Sequence, residues 1–319
     1  MKTFDEVYQA LMPELERVEA FRQELRKKSK NTVFVGIGIC LVAIIVGLII
    51  SNYAVIGIGV LIGVIVIAVG FFSFKSKYTK EFKGKIIPTL LKGVNETMIY
   101  KPKGYIDKTR FKKGGIFQQS IDKYSGEDYI AGKIEKTDVE FSELHAQYKS
   151  TSTDSKGNTK TSYHTFFKGL YMIADFHKDF KGKTVVLPDN AEKMFGGVLG
   201  KWFQKMNFSR DDLIYLEDPE FEKEFVVYGT DQVESRYILS THMMQDILAL
   251  KREANCPIFI SFIDTDIHLA LYWNKDILEP NFGKDITSSD EIKKFYDQIA
   301  ACFKLVEDLN LNTRIWSKT

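Results

Sequence analysis

The sequence predicts an α+β protein: an N-terminal helix, a two-helix transmembrane hairpin, then a cytosolic mixed α+β domain with a mainly antiparallel sheet. Three observations lead there. Residues 33–74 contain no charged side chain. Beyond residue 92, strand-like and helix-like segments mix without a regular βαβ alternation, which favours α+β over a doubly wound sheet. Two pairs of strand-like segments flank turn signals, at 150–162 and at Asp264-Thr265-Asp266, as antiparallel hairpins do. The expected organisation is an amphipathic helix at 1–32, the membrane hairpin at 33–74, a basic juxtamembrane helix at 75–92 and the cytosolic domain at 93–319.

The hairpin follows from length. Val33–Ile50 is one apolar run and Ala54–Phe74 a second, with Ser51-Asn52-Tyr53 between them. A single helix of that whole stretch would be about 60 Å long, twice the hydrocarbon core of a bilayer. Two helices and a tight turn satisfy the backbone instead, and Ser51 and Asn52 suit the turn because their side chains bond local backbone. Arg17, Arg22, Arg26, Lys27, Lys28 and Lys30 precede the runs, and Lys75, Lys77, Lys80, Lys83, Lys85 and Lys92 follow them. The positive-inside rule then puts both termini in the cytoplasm of a multi-pass membrane protein. Gly59 and Gly63 form a GxxxG pair, which serves close packing within the hairpin or a dimer face, so a homo-oligomer is compatible with the sequence. No ionisable group lies inside the runs, which disfavours transport by this chain alone.

Ahead of the membrane, Phe4, Tyr8, Leu11, Leu15, Val18 and Leu25 make a heptad-like stripe with Arg22 in one slot. Pro13 interrupts it and fits the first turn of a helix beginning there. Self-packing is the expected role of the stripe. Residues 75–92 read as a lysine-rich helix beside anionic head groups. Residues 1–92 carry a net charge of +6 and residues 93–319 a net charge of −4. The domain therefore lacks the basic footprint of a nucleic-acid binder. A composition of 45% hydrophobic and 27% charged residues excludes a disordered or collagen-like chain, and three unpatterned cysteines exclude a disulfide framework and fit a reducing compartment.

Within the domain, Tyr124–Tyr148 reads as strands around Gly126 and Gly132. The polar stretch 150–162 reads as a flexible tip, with Thr165–Phe176 as the returning arm. Strands are expected at 184–187, 213–216, 225–228, 257–263 and 267–273, with an acidic turn at Glu217-Asp218-Pro219. Helices are expected at 189–206, 231–239, 241–251 and 289–309, the last with capping-box spacing at Ser288 and Glu291.

Catalytic motifs are absent from the sequence. Gly182-Lys183-Thr184 lacks the earlier glycine of a P-loop and precedes a strand rather than a helix. There is no HExxH or CxxC, and His145 and His164, on the two arms of one hairpin, lack further zinc ligands. No cofactor is implied. Two groups remain as a candidate ligand or partner surface. Asp175, His177 and Asp179 alternate and would share one face of a strand. Asp231, Glu234 and Arg236 suit either an ion pair or an anion site.

Around these groups the chain resembles a bacterial membrane-protein family catalogued as domain of unknown function 3137. The matching pieces are FSE at 141–143, FKGLYMIADFHKDFKGKTVVLPD at 167–189, DPEFEKEFVVYGTDQVESRYIL at 218–239 and LNLNTRIW at 309–316. The N-terminal helix and double span fit as well. The resemblance implies a bacterial cytoplasmic membrane location and supplies no catalytic residues. Members sometimes encoded beside LemA-type membrane proteins imply a protein of that type as partner. The expectation is a membrane-anchored, non-enzymatic interaction or regulatory module that presents its cytosolic domain to a protein partner. A membrane-proximal lipid- or small-ligand-binding protein, or an uncharacterised enzyme, is the alternative.

Overall fold

The structure, a computed structural model, describes residues 3–153, 155–175, 179–191, 212–274 and 276–308. The chain forms two compact units, one of residues 1–94 with 278–297, the other of 95–277 with 298–319. The division differs from the expected one in assigning 278–297 to the helical unit.

The first unit is built on two long helices, α1 (Phe4–Ile49) and α2 (Tyr53–Val94). Thr3 caps α1 and exchanges hydrogen bonds with Glu6, so the helix starts nine residues before Pro13. Pro13 lies on the exposed face, where the carbonyl it leaves unpaired meets water. The turn is at 50–52: Ser51 has φ 51°, and the Asn52 side chain accepts from the Ala54 N–H at 3.0 Å. Tyr53 already opens α2.

The two helices run antiparallel in contact along their length, and glycines set the spacing. A Cβ at Gly47 would meet Ile56 at 2.3 Å, at Gly59 Ala43 at 2.1 Å, at Gly63 Cys40 at 2.3 Å and at Gly70 Thr32 at 2.6 Å. Gly59 and Gly63 thus pack inside the hairpin, whereas Gly38 and Gly57 face open space. The large apolar side chains of 34–72 are mostly exposed, including Phe34, Leu41, Ile49, Ile58 and Phe72. Both helices are long and apolar enough to cross a membrane.

Beyond the apolar runs the helices keep a buried seam. Val7, Leu11, Leu15, Val18 and Leu25 of α1 are buried, as are Tyr78, Phe82, Ile86, Ile87, Leu90 and Leu91 of α2. The segment 75–92, expected as a basic helix, also carries an apolar stripe at helical spacing. Inside the seam Glu19 and Arg22 form a bidentate pair at 2.6 and 2.8 Å. Ile286 N–H donates to Glu19 at 3.1 Å, and Arg22 donates to the Phe282 carbonyl at 3.0 Å. Burial works against the Glu19 charge, but Arg22, Gln23 and the Ile286 N–H outweigh it and hold the carboxyl below its usual range. Phe82 and Phe295, 4.8 Å apart, close the same core.

The second unit is one nine-stranded antiparallel sheet, in the order β1-β2-β3-β4-β9-β8-β5-β7-β6. Its strands are β1 (Ile99–Lys101), β2 (Lys123–Ile134), β3 (Thr137–Thr153), β4 (Thr159–Asp175), β5 (Lys183–Pro188), β6 (Leu213–Ile214), β7 (Phe225–Gly229), β8 (Ile258–Ile263) and β9 (Asp266–Leu271). The β2–β3 turn is Glu135-Lys136, with Glu135 at φ 53°. Gly126 and Gly132 lie within β2. Their missing side chains admit close neighbours, the Glu143 carbonyl and Met98 respectively. Asp264 at φ 56° closes the expected β8–β9 hairpin.

Alternation gives the sheet two buried faces. Leu144, Tyr171, Ile173, Val185, Phe259 and Ala270 pack with Ile106, Phe111 and Phe117 of the segment around α3 (Lys108–Lys113). The opposite face carries Phe141, Leu170, Met172, Ile260, Leu269 and Leu271, all buried. The helices are α4 (Pro219–Glu224), α5 (Gln232–Ile238), α6 (Thr241–Ala254) and α7 (Ser289–Asp308), the last contributing residues to both units. Asp218 caps α4 and Pro219 is its first residue, so the acidic turn is a short helix. Glu291 pairs with Lys284 and Lys294. The expected helix at 189–206 lies almost wholly outside the described residues.

Two predictions follow from the seam. Arg22→Ala leaves a buried carboxylate and costs about 3–5 kcal/mol in thermal or denaturant unfolding of the detergent-solubilised chain, while Glu19→Leu with Arg22→Met recovers most of it. Gly63→Leu lowers the melting temperature by overpacking, whereas Gly57→Leu, with open space around it, leaves the temperature unchanged.

Candidate functional site

Asp175 ends β4, directly opposite Asp266 of β9. It lines a cavity of about 300 Å³ with Arg110, Tyr129, Asp138, Glu140 and Asp266. Asp179 lies beyond the strand, exposed, and His177 lies outside the described residues. In the cavity wall Arg110 pairs with Glu140, and Tyr129 Oη donates to the same carboxylate at 2.9 Å. Burial still raises the Glu140 pKa. Lys113 reaches Asp264 at 3.1 Å and Asp266 at 3.6 Å. Against α3 lies a buried polar contact, Tyr171 Oη to His268 Nδ1 at 3.1 Å, and Ser261 donates to the Gly114 carbonyl at 2.5 Å. Burial, with Lys113 and Arg110 nearby, lowers His268 to about 3, so its ring is neutral at physiological pH.

Asp231, Glu234 and Arg236 are grouped by α5, but as structure. Asp231 caps the helix, accepting from Val233 and Glu234 N–H at 2.9 Å each. The Glu234 carboxylate accepts from the Lys181 and Gly182 N–H groups at 3.2 and 2.8 Å. The Glu234 carboxylate thus takes up the backbone N–H groups at the start of Gly182-Lys183-Thr184. Arg236 reaches the Tyr215 carbonyl at 3.4 Å and Gln232 at 3.3 Å. His145 and His164 do not meet: His145 sits opposite Lys168, and His164 stacks on Tyr148 at 5.2 Å. Burial pushes the Cys302 thiol up to about 12, which removes it as a nucleophile at neutral pH.

A second strongly perturbed group is one that spacing did not reveal. Glu127 of β2 faces Glu143 of β3 across the ladder, and Asp128 follows at a bulge with φ 57°. The three offer oxygens within 4.8 Å of one another. Ile277 N–H donates to Glu143 at 2.8 Å, and Tyr100 Oη donates to Asp128. Burial first, then the charges of Asp276, Glu127 and Asp128, push Glu143 up to about 8. A hard cation is the metal type such a set would hold; without one, a proton keeps like charges apart. Only the β2–β3 register joins these residues, and the signal for it was the turn at 135–136.

The most exposed feature is an arm. β3 pairs with β4 out to Thr153 and Thr159, but β2 leaves β3 at Gln147 and β9 leaves β4 at Leu170. The strand ends past Tyr148 and Thr165 have only each other in the sheet. Side chains 149–153 and 159–161 are all exposed, and Gly157 turns the tip at φ 83°. The tip is thus narrower than 150–162, most of which is paired strand. The root is fixed: Lys149 N–H donates to Asp122 at 2.8 Å, and Lys123 sits over the Tyr163 ring at 3.6 Å.

The Glu143 shift makes a signed prediction. Its carboxyl is protonated in the folded state and ionised in the unfolded state between pH 4.5 and about 8. Its stabilising contribution is complete below pH 4.5 and declines, by on the order of a few kcal/mol, as pH rises to 8. Unfolding of Glu143→Gln across this range is expected to be flatter with pH, and the variant more stable than the parent at pH 8.

No curated protein matches the chain. A solved structure, that of the mycobacterial trehalose monomycolate transport factor A, TtfA, is similar with a TM-score of 0.32 and 8% identity, over 71% of this chain and 96% of that one. Residues 165–311 match the family model described as protein of unknown function (DUF3137). The resemblance seen in the sequence is thus shown, and it is residues 165–311 of the chain that match this family of unknown function.

Proposed function

We propose that the chain is a membrane-anchored, non-enzymatic interaction module that offers its β3–β4 arm to a protein partner. The arm is the observation that supports this most directly. An isolated two-stranded ribbon is marginal by itself, and its strands present unpaired backbone N–H and C=O groups along both outer edges. A partner strand can add to such an edge through main-chain hydrogen bonds. Thr and Ser dominate 150–162, so the ribbon stays soluble while its edges remain open.

The anchoring half of the reading rests on the exposed apolar side chains of 34–72 and on the lysines and arginines at both ends of that belt. By the positive-inside rule, two spans with basic flanks support cytoplasmic termini. The family resemblance makes a LemA-type membrane protein the first partner to test, with a second copy of the chain as the alternative.

The test replaces 150–162 by Asn-Gly, a two-residue turn that joins Lys149 to Tyr163 in the register they already have. The variant is expected to keep its melting temperature within about 2 °C, since the removed side chains are exposed. A photo-crosslinker at Thr151 or Thr161 in intact cells is expected to give one discrete partner adduct, with the trimmed chain losing that partner on membrane purification. Unchanged capture by the trimmed chain overturns the arm as the contact.

A further inference from the structure

In the helical unit a cleft of about 1000 Å³ opens between α1, α2 and residues 279–283. We propose that it is a binding site for one anionic phospholipid, with the phosphate held by Arg26, Lys30 and Lys75 and the glycerol and upper acyl chains on Val33, Phe34, Phe71 and Phe282. The proposal rests on the membrane reading of 33–74.

The cleft lies where the sequence changes character. Lys30 is the last charge before the uncharged run and Lys75 the first after it. Both line the cleft, one from each helix, together with the first and last apolar turns. The antiparallel seam brings them to one level, because Thr32 already touches Gly70. One end of the cleft is therefore basic and the other apolar, the polarity of a lipid at the hydrocarbon boundary.

The charge is favourable and unspent. Three cationic side chains line the cleft against one carboxylate, Glu279, and Lys83 binds that carboxylate at 2.7 Å. Arg26 gives one N–H to the Gly283 carbonyl at 3.0 Å, which fixes the guanidinium while other donors of its fork face a ligand. Arginine in that state suits a phosphate's oxygens. The apolar end is held rigid as well. Phe282 lies edge-on to Phe71 at 6.0 Å and against Tyr78 at 5.7 Å, with its carbonyl tied to Arg22. Ligand sites of a few hundred to about 1000 Å³ are typical of small molecules, so the space suits a head group with the start of its chains. Free phosphate would satisfy the cations and leave the phenylalanines uncovered.

The experiment uses the full chain, purified in detergent and titrated with phosphatidylglycerol or phosphatidylcholine under native mass spectrometry. One phosphatidylglycerol per chain is expected to persist, at least tenfold tighter than phosphatidylcholine. Arg26→Gln with Lys30→Gln and Lys75→Gln is expected to abolish that preference. Lys30→Gln with Lys75→Gln, which leaves the Arg26–Gly283 contact in place, is expected to weaken it about tenfold. Lys27→Gln with Lys77→Gln and Lys80→Gln removes the same charge outside the cleft and is expected to leave the preference intact. Equal loss in that control, equal binding of the two lipids, or full competition by glycerophosphate each overturns the site. Carbonate extraction of cell membranes separates this from the anchoring reading: release of the parent chain defeats the anchor, whereas retention with no lipid preference defeats only the cleft.

Discussion

The helical unit depends on a charged pair in an apolar seam. Arg22 sits in a slot where a heptad stripe calls for an aliphatic side chain, Glu19 is buried beside it, and they also bond backbone 260 and 267 residues away in sequence. The carboxylate takes the Ile286 N–H, and the guanidinium takes the Phe282 carbonyl. Desolvating two ions is costly, and only complete pairing offsets it. The pair ties the segment 278–297 to α1 through two directional bonds that leucines could not make. Phe282 then stands between Phe71 and Tyr78, and Lys83 finds Glu279.

The sheet unit faces the same difficulty in β3, and it solves it twice. Glu140 and Glu143 are three residues apart, so alternation sends them to opposite faces, both buried. Glu140 meets Arg110 from α3 and a tyrosine hydroxyl, so charge is balanced by charge. Glu143 meets Glu127 directly opposite and Asp128 beside it, so a proton is the simplest balance. Burial acts on both carboxyls, and the neighbours decide the outcome. The strand that absorbs these costs also has the longest ladder, and it is this long pairing with β4 that lets the arm extend beyond the strands on either side.

Much of this was legible in the sequence. Uncharged runs of known length fixed the two long helices and the turn at Asn52, and period-two segments with turn residues located most strands. The losses have physical causes. In 75–92 the lysines masked a stripe of Tyr78, Phe82, Ile86, Leu90 and Leu91, because a high lysine content and an apolar stripe share the same helix. At Asp218-Pro219 a cap and a first-turn proline looked like a turn, since a six-residue helix begins with the same residues. Pro13 looked like a start because proline suits a first helical turn, whereas it lies inside α1 on the exposed face. Asp175, His177 and Asp179 alternate in sequence; β4 is described as far as Asp175, and His177 lies outside the described residues. The trio around Glu143 and the cleft were beyond reach, because each joins residues that only strand register or tertiary packing brings together.

The position of the cleft follows from how the two helices are spaced. From Gly47 to Gly70 small residues hold α1 and α2 backbone to backbone, and the contact at Thr32 is the end of that stretch. The next side chains beyond that contact are Ser29, Arg26 and Lys75, long ones beside a short one, and the cleft opens there. Close packing in the apolar part thus forces any widening to the boundary where charge first returns. A site at that depth can meet a phosphate and an acyl chain together, whereas a turn deeper or shallower would meet only one. The glycines that bring the helices together and the cations that follow them are in this sense one arrangement. Exchanging the order of small and basic residues would keep the composition and lose the site.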